Sequence, residues 1–120
     1  MIIVYASRTG NIKRFVSRIS EYQTIPISEY TDEMGKFVLI TYTNGFGAVP
    51  QEVQEFLGKH NHNLVGVSAS GNKNWGKDLF AKSGDKISQQ YNIPLLHKFE
   101  LSGTDNDLMI FLERVKGLHD

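Results

Sequence analysis

The sequence predicts an α/β fold: an open three-layer sandwich on a five-stranded parallel sheet in the order 2-1-3-4-5. Short apolar runs alternate with segments of helical periodicity along the whole chain, which implies parallel pairing through right-handed crossovers. The runs are too continuously apolar for a sheet with one wet face, so helices must cover both sides. Clusters of Gly, Ser, Thr and Asn follow strands 1, 3 and 4, and in this topology those loops converge on the crevice between strands 1 and 3, where the winding reverses.

The first strand is the apolar run Ile2 to Ala6, and it ends at Ser-Arg-Thr-Gly-Asn. Ile12, Phe15, Val16 and Ile19 follow at helical spacing. Thr24 to Ile27 carries Pro26, which cannot donate to a central ladder, and is an edge strand. Lys36 to Thr43 is rich in β-branched and aromatic residues, and after Asn-Gly-Phe-Gly-Ala-Val, Pro50 opens a helix that buries Val53, Phe56 and Leu57. Leu64 to Ala69 is the fourth strand. A helix over roughly Trp75 to Tyr91 buries Leu79, Phe80 and Ile87, the last strand spans Ile93 to Leu101, and Leu108 to Val115 lies on a terminal helix. Only the segment Ser28 to Met34 separates strands 2 and 3. A parallel crossover ordinarily takes a dozen residues or more, so a compact loop must replace the helix there.

The chain of 120 residues, 40% hydrophobic, suits one domain over 1–120. Thirteen basic residues balance thirteen acidic ones, so no global field draws the protein to nucleic acid or an anionic membrane. No stretch has the apolar length of a signal or a membrane span, and a cytoplasmic protein is expected. The absence of cysteine removes disulfides, thiolate nucleophiles and iron–sulfur ligation, so any redox chemistry must come from a bound cofactor.

In the first loop Ser7, Thr9 and Asn11 supply side-chain donors, Gly10 lets the backbone curl, and the start of the helix behind them suits a phosphate. The same residues would also serve as an ordinary helix cap, with Thr9 or Asn11 at the N-cap. In the second loop, Thr43-Asn44-Gly45-Phe46-Gly47, an aromatic stands between two glycines. Such a loop can turn a peptide over beneath a planar ligand, or it can be a tight strand-to-helix turn with Phe46 packed inward. The third loop, Ser70-Gly71-Asn72-Lys73-Asn74-Trp75-Gly76, holds the sole tryptophan. Trp75 is either a stacking plate, with Asn72 and Asn74 reading a heterocycle edge, or the first core residue of its helix. Together the loops describe a site for a flat, phosphorylated ligand, for which FMN is the natural candidate. G-x-G-x-x-G is absent after strand 1 and no Walker lysine follows Gly10, which argues against dinucleotides and nucleotide hydrolysis. A response-regulator receiver would need acidic residues where Ser7 and Thr43 stand.

The chain resembles the flavodoxin-like NrdI family, the flavin partners of class Ib ribonucleotide reductase. The carriers are Thr9-Gly10-Asn11 followed by Lys13-Arg14-Phe15, the run Ile40 to Gly47 with Val49-Pro50, the run Gly66 to Gly76, and Lys98 to Thr104. General electron-carrier flavodoxins commonly place Thr where Ile12 stands, are longer and are strongly acidic, and these departures favour NrdI over that alternative. The resemblance implies FMN held by Ser7, Arg8, Thr9, Gly10, Asn11 and Ile12, by Thr41, Tyr42, Thr43, Asn44, Gly45, Phe46 and Gly47, and by Ser70, Gly71, Asn72, Asn74, Trp75 and Gly76. It also implies that the reduced flavin meets molecular oxygen to make a superoxide or peroxide oxidant for the dimanganese centre of the small reductase subunit NrdF. The manganese belongs to that partner, and the reductant is unidentified. Lys73 and Lys77 near the crevice would ease the burden of a reduced, anionic flavin, and the Gly45-Phe46 peptide is expected to reorient on reduction. A third reading is a flavin-free docking module.

The remaining polar residues have plainer expectations. His60 and His62 mark a solvated helix end rather than a metal site, and no metal ligand set is expected on this chain. His97 falls in the last strand and His119 in the tail. Asp105 and Asp107 supply helix N-terminal charge, while Lys98, Glu100 and the Gly103-Thr104 turn either line the far side of the flavin or cap the sheet, and capping is the favoured reading.

Overall fold

The computed structural model describes residues 1–118, so His119 lies outside the described residues. The elements are β1 (Ile2–Tyr5), α1 (Asn11–Val16), β2 (Thr24–Pro26), β3 (Phe37–Thr41), α2 (Gln51–His60), β4 (Leu64–Gly71), α3 (Lys82–Tyr91), β5 (Leu95–Glu100) and α4 (Asp105–Lys116). All neighbouring strands pair in parallel, in the order β2-β1-β3-β4-β5. The Pro26 strand is therefore an edge, as a missing N–H requires.

Successive strand residues feed opposite layers. Ile2, Val4, Phe37 and Leu39 pack with Val53, Phe56 and Leu57 of α2 and Ile87 of α3. Ile3, Val38 and Ile40 pack with Ile12, Phe15 and Val16 of α1 and with Phe111 and Val115 of α4. The second layer is keyed by Phe15, which stacks on Phe99 at 4.2 Å between centroids and meets the edge of Phe111 at 5.7 Å. Each such pair adds roughly 0.5–1.5 kcal/mol beyond area burial.

The link from β2 to β3 runs over residues 27–36 without an α-helix, through 3-10 turns at Ile27–Glu29 and Asp32–Met34. Tyr30 does the packing a helix would have done. Its buried ring lies 4.7 Å from Phe37 and 5.6 Å from Phe56, and its hydroxyl donates to Gly35 O and accepts from Asn63 Nδ2 at 3.0 Å. His60 Nδ1 and His62 Nε2, expected to be merely solvated, both reach Asp32 Oδ1, at 2.7 and 3.3 Å, and tie the end of α2 to this link.

Two elements depart from expectation. The helix expected over Trp75 to Tyr91 is broken: Gly76 to Phe80 forms one separate turn, and α3 begins at Lys82. Ala81 between them is left-handed, at φ 47°. Its backbone rests against Gly71, where a Cβ would fall 2.5 Å from Ala81 N, so the chain must swing around β4 before the helix can start. β5 ends at Glu100 rather than Leu101, because Leu101 is also left-handed, at φ 54°, and leaves the ladder. Among the described residues, no helix is long and apolar enough to cross a membrane.

Helix α4 starts from a capping box, with Thr104 Oγ1 accepting from Asp107 N and Thr104 N–H donating to the Asp107 carboxylate. Asp107 also meets His97 Nε2 at 2.7 Å. Burial pushes the Asp107 carboxyl up, but the His97 contact and the Thr104 donors outweigh it and hold the group below its ordinary value of 3.8. A depressed carboxyl adds stability that is present above the ordinary carboxylate range and is lost as pH falls through the native value. Thermal unfolding should therefore show wild type more stable than Asp107→Asn at pH 7, with the gap closing below about pH 4. A pH-independent gap would contradict this assignment.

Ser68 Oγ is a buried side-chain atom without a hydrogen-bond partner among the described residues. A buried, unpaired hydroxyl costs about 1–3 kcal/mol, so Ser68→Ala should raise stability by roughly 1 kcal/mol, seen as a Tm increase of a few degrees.

Candidate functional site

The carboxyl ends of β1, β3 and β4 open into one cleft of about 220 Å³. Because α1 packs on one face of the sheet and α2 on the other, the loops leaving the adjacent strands β1 and β3 diverge and leave this space between them.

The first loop contributes Ser7, Arg8, Thr9, Asn11 and Ile12 to the wall. Gly10, not Thr9 or Asn11, is the N-cap of α1, at φ 89°, and no side chain caps it. Ser7 Oγ accepts from Lys13 N at 3.3 Å. Among the described residues the N–H groups of Thr9, Gly10, Asn11 and Ile12 meet no acceptor and form a cluster of free donors. Asn11 is held by Arg14, and Arg8 Nη1 donates to Asn44 Oδ1 at 3.1 Å across the cleft.

The second loop places Tyr42, Thr43, Asn44 and Gly47 in the wall. It closes on itself through Asn44 N–H to Ala48 O at 3.0 Å and Gly47 N–H to Asn44 O at 3.1 Å. Phe46 is left-handed at φ 59° and does not pack inward: it is 77% exposed, with its ring 5.4 Å from that of Trp75. Thr41 is fully buried behind the loop and donates to Tyr42 O. The Tyr42 phenol is pushed up to about 12, first by burial and then by the Glu52 carboxylate that accepts its proton at 2.9 Å. It stays neutral in ordinary buffers.

Ser70 and Gly71, expected in the third loop, are the last residues of β4, and with Asn72 and Trp75 beyond them they reach the cleft. Trp75 closes a 3-10 turn and is half exposed rather than a core residue of a helix. Asn72 Oδ1 accepts from Asn74 N at 2.9 Å and so shapes the loop. Gly10, Thr41, Gly45, Phe46, Asn74 and Gly76 were expected at the site but do not line the cleft. Gly45 lies under the Trp75 ring, where a Cβ would meet it at 3.7 Å.

Leu79, Ala81 and Leu101 line the cleft without having been expected there. Leu79 has the periodicity of a helix core residue, and the other two reach the cleft through left-handed backbone that neither residue type advertises. Lys73 and Lys77 line a neighbouring depression with Gly76 and Phe80 instead, and Lys98 pairs with Asp85 at 2.7 Å. Arg8 is thus the sole charged residue on the described cleft wall, and no carboxylate lies on it. The wall combines free N–H groups, hydroxyls, one cation and exposed aromatic surface, and it suits an anionic ligand with a flat, apolar portion.

The contact between Gly71 and Ala81 yields a direct test. Gly71→Ala should cost about 1–3 kcal/mol in denaturant unfolding, because its Cβ would sit 2.5 Å from Ala81 N and 2.9 Å from Ala81 Cα. An unchanged midpoint would show that the loop has slack.

Residues 3–113 match the family model described as NrdI flavodoxin-like. A protein of Bacillus licheniformis named Protein NrdI is 52% identical over 95% of this chain and 86% of its own length. A Macrococcus caseolyticus protein of the same name is 42% identical over 100% of this chain and 92% of its own. Among solved structures, a short-chain flavodoxin associated with a bacterial microcompartment superposes with a TM-score of 0.72 at 22% identity, over 98% of this chain and 97% of its own. Two-electron reduced Megasphaera elsdenii flavodoxin superposes at 0.65 with 15% identity, over 98% and 100%.

Proposed function

On the footing that this chain belongs to the NrdI flavodoxin-like family, we propose that it binds FMN in the cleft and serves class Ib ribonucleotide reductase. In this reading the bound cofactor supplies electrons to molecular oxygen, giving the superoxide or peroxide with which the dimanganese-tyrosyl radical centre of NrdF is assembled. The observation that carries the binding step is the cluster of free N–H groups of Thr9, Gly10, Asn11 and Ile12 at the start of α1, where Thr9, Asn11 and Ile12 line a wall without a carboxylate. Those donors, with the hydroxyls of Ser7 and Thr9, would hold the phosphate, and Arg8 adds the positive charge.

Trp75 supports the ring end of the reading. It presents exposed aromatic surface to the cleft and is braced by Phe46 at 5.4 Å. The cleft's roughly 220 Å³ is below the ~300–1,000 Å³ usual for an enclosed small-molecule site, so one edge of a flavin would stay open to solvent and to a partner. Such access is what delivery of a small oxidant to another protein requires. With a glycine on each side of Phe46, the Gly45-Phe46 peptide would turn over at small cost, since among the described residues Gly45 O accepts only from Ala48 N–H at 3.4 Å.

Two assays check the proposal. FMN titrated into the apoprotein should saturate with quenching of flavin fluorescence, and Trp75→Ala should weaken binding about tenfold, the equivalent of ~1.4 kcal/mol of aromatic contact. The chemically reduced holoprotein, mixed with manganese-loaded NrdF and air, should generate the tyrosyl radical signal. Tight FMN binding without radical formation would leave a general electron-transfer flavodoxin, and no binding would reject the cofactor.

A further inference from the structure

Behind the cleft, two hydroxyls share fewer protons than they have neighbours. Thr43 Oγ1, on the cleft wall, lies 2.9 Å from Ser70 O and 2.7 Å from Ser83 Oγ. Ser83, fully buried in the first turn of α3, also lies 3.1 Å from Tyr42 O. Each hydroxyl has one proton to donate, so three contacts must be served by two protons. If both hydroxyls donated outward, two oxygens 2.7 Å apart would face each other with no proton between them. A relay in which Thr43 donates to Ser83 and Ser83 to Tyr42 O would take the Thr43 proton from Ser70 O and give Tyr42 O a second donor, so the opposite order serves the carbonyls better. Ser83 donates to Thr43, Thr43 donates to Ser70 O, and Tyr42 O keeps Thr41 Oγ1 as its donor at 2.9 Å.

We propose that Ser83 is a positioning residue for the cleft: by donating to Thr43 Oγ1 it commits the Thr43 hydroxyl to Ser70 O. That ties the second loop to the third and leaves Thr43 able only to accept a hydrogen bond from a ligand. Ser83 itself does not line the cleft. The start of α3 is what brings it there, because the left-handed Ala81 sets the helix against β4 immediately beyond Gly71. This inference rests on the FMN reading of the cleft.

The test is a double-mutant cycle on FMN affinity, with Ser83→Ala and Thr43→Val measured singly and together, alongside thermal unfolding of each apoprotein. A residue acting through Thr43 has no further effect once Thr43 has lost its hydroxyl. Ser83→Ala should weaken FMN binding about tenfold in the wild-type background. In the Thr43→Val background it should change affinity by less than about twofold. Wild-type affinity in Ser83→Ala would overturn the proposal, as would the same fold-loss in both backgrounds, even if Tm falls in each. Ser83→Cys, which refills the volume with a weaker donor, gives the same comparison should the alanine variant not fold. Failure of wild type to bind FMN would instead reject the cofactor reading, and this inference with it.

Discussion

The structure depends on one constraint: β1 and β3 are adjacent strands whose following helices pack on opposite faces of the sheet. Their loops must part as they leave the sheet, and the space between them cannot be filled by either helix. Most of what lines that space follows the strand ends, and Leu79 and Ala81 are added from the segment that leads into α3. The Ser7 to Ile12 loop turns toward α1, the Tyr42 to Gly47 loop turns toward α2, and the β4 loop closes the side. Both faces of the sheet are buried, since the strands contribute Ile3, Val38 and Ile40 to one layer and Val4, Phe37 and Leu39 to the other.

The chemistry of the cleft follows from what the loops lack as much as from what they hold. The wall carries Arg8 and no carboxylate among the described residues, and Tyr42 keeps its proton because burial and Glu52 oppose its ionisation. Charge balance over the chain conceals this local bias: with equal numbers of acids and bases overall, the acids are simply elsewhere. Asp85, Asp105 and Asp107 are engaged with Lys98, Arg18 and His97. Asp32 meets His60 and His62 near the β2–β3 link.

Much of the fold was legible because the physics behind it is local. Apolar runs gave the five strands, Pro26 marked an edge, and glycine with small polar residues marked the loops at the carboxyl ends. The residues that escaped notice depend on contacts remote in sequence. Ala81 favours a helix by propensity, yet it takes φ 47° because Gly71, ten residues earlier, admits its backbone. Leu101 leaves its strand at φ 54° and enters the cleft wall, and no pattern of apolar spacing encodes that turn. Lys73 and Lys77, expected near the cleft, line the depression beside it with Gly76 and Phe80. The missing crossover helix was visible as a short segment, but Tyr30 as its substitute was not, because one buried tyrosine looks like any other until Phe37 and Phe56 surround it.

Whether these loops together cradle a flavin is decided by a crystal structure of the protein reconstituted with FMN. Phosphate density is expected within hydrogen-bond reach of the Thr9 to Ile12 N–H groups, with the ring system beside Trp75 between the second and third loops. Flavin density elsewhere, or a phosphate bound without contact to Thr9 to Ile12, would contradict it.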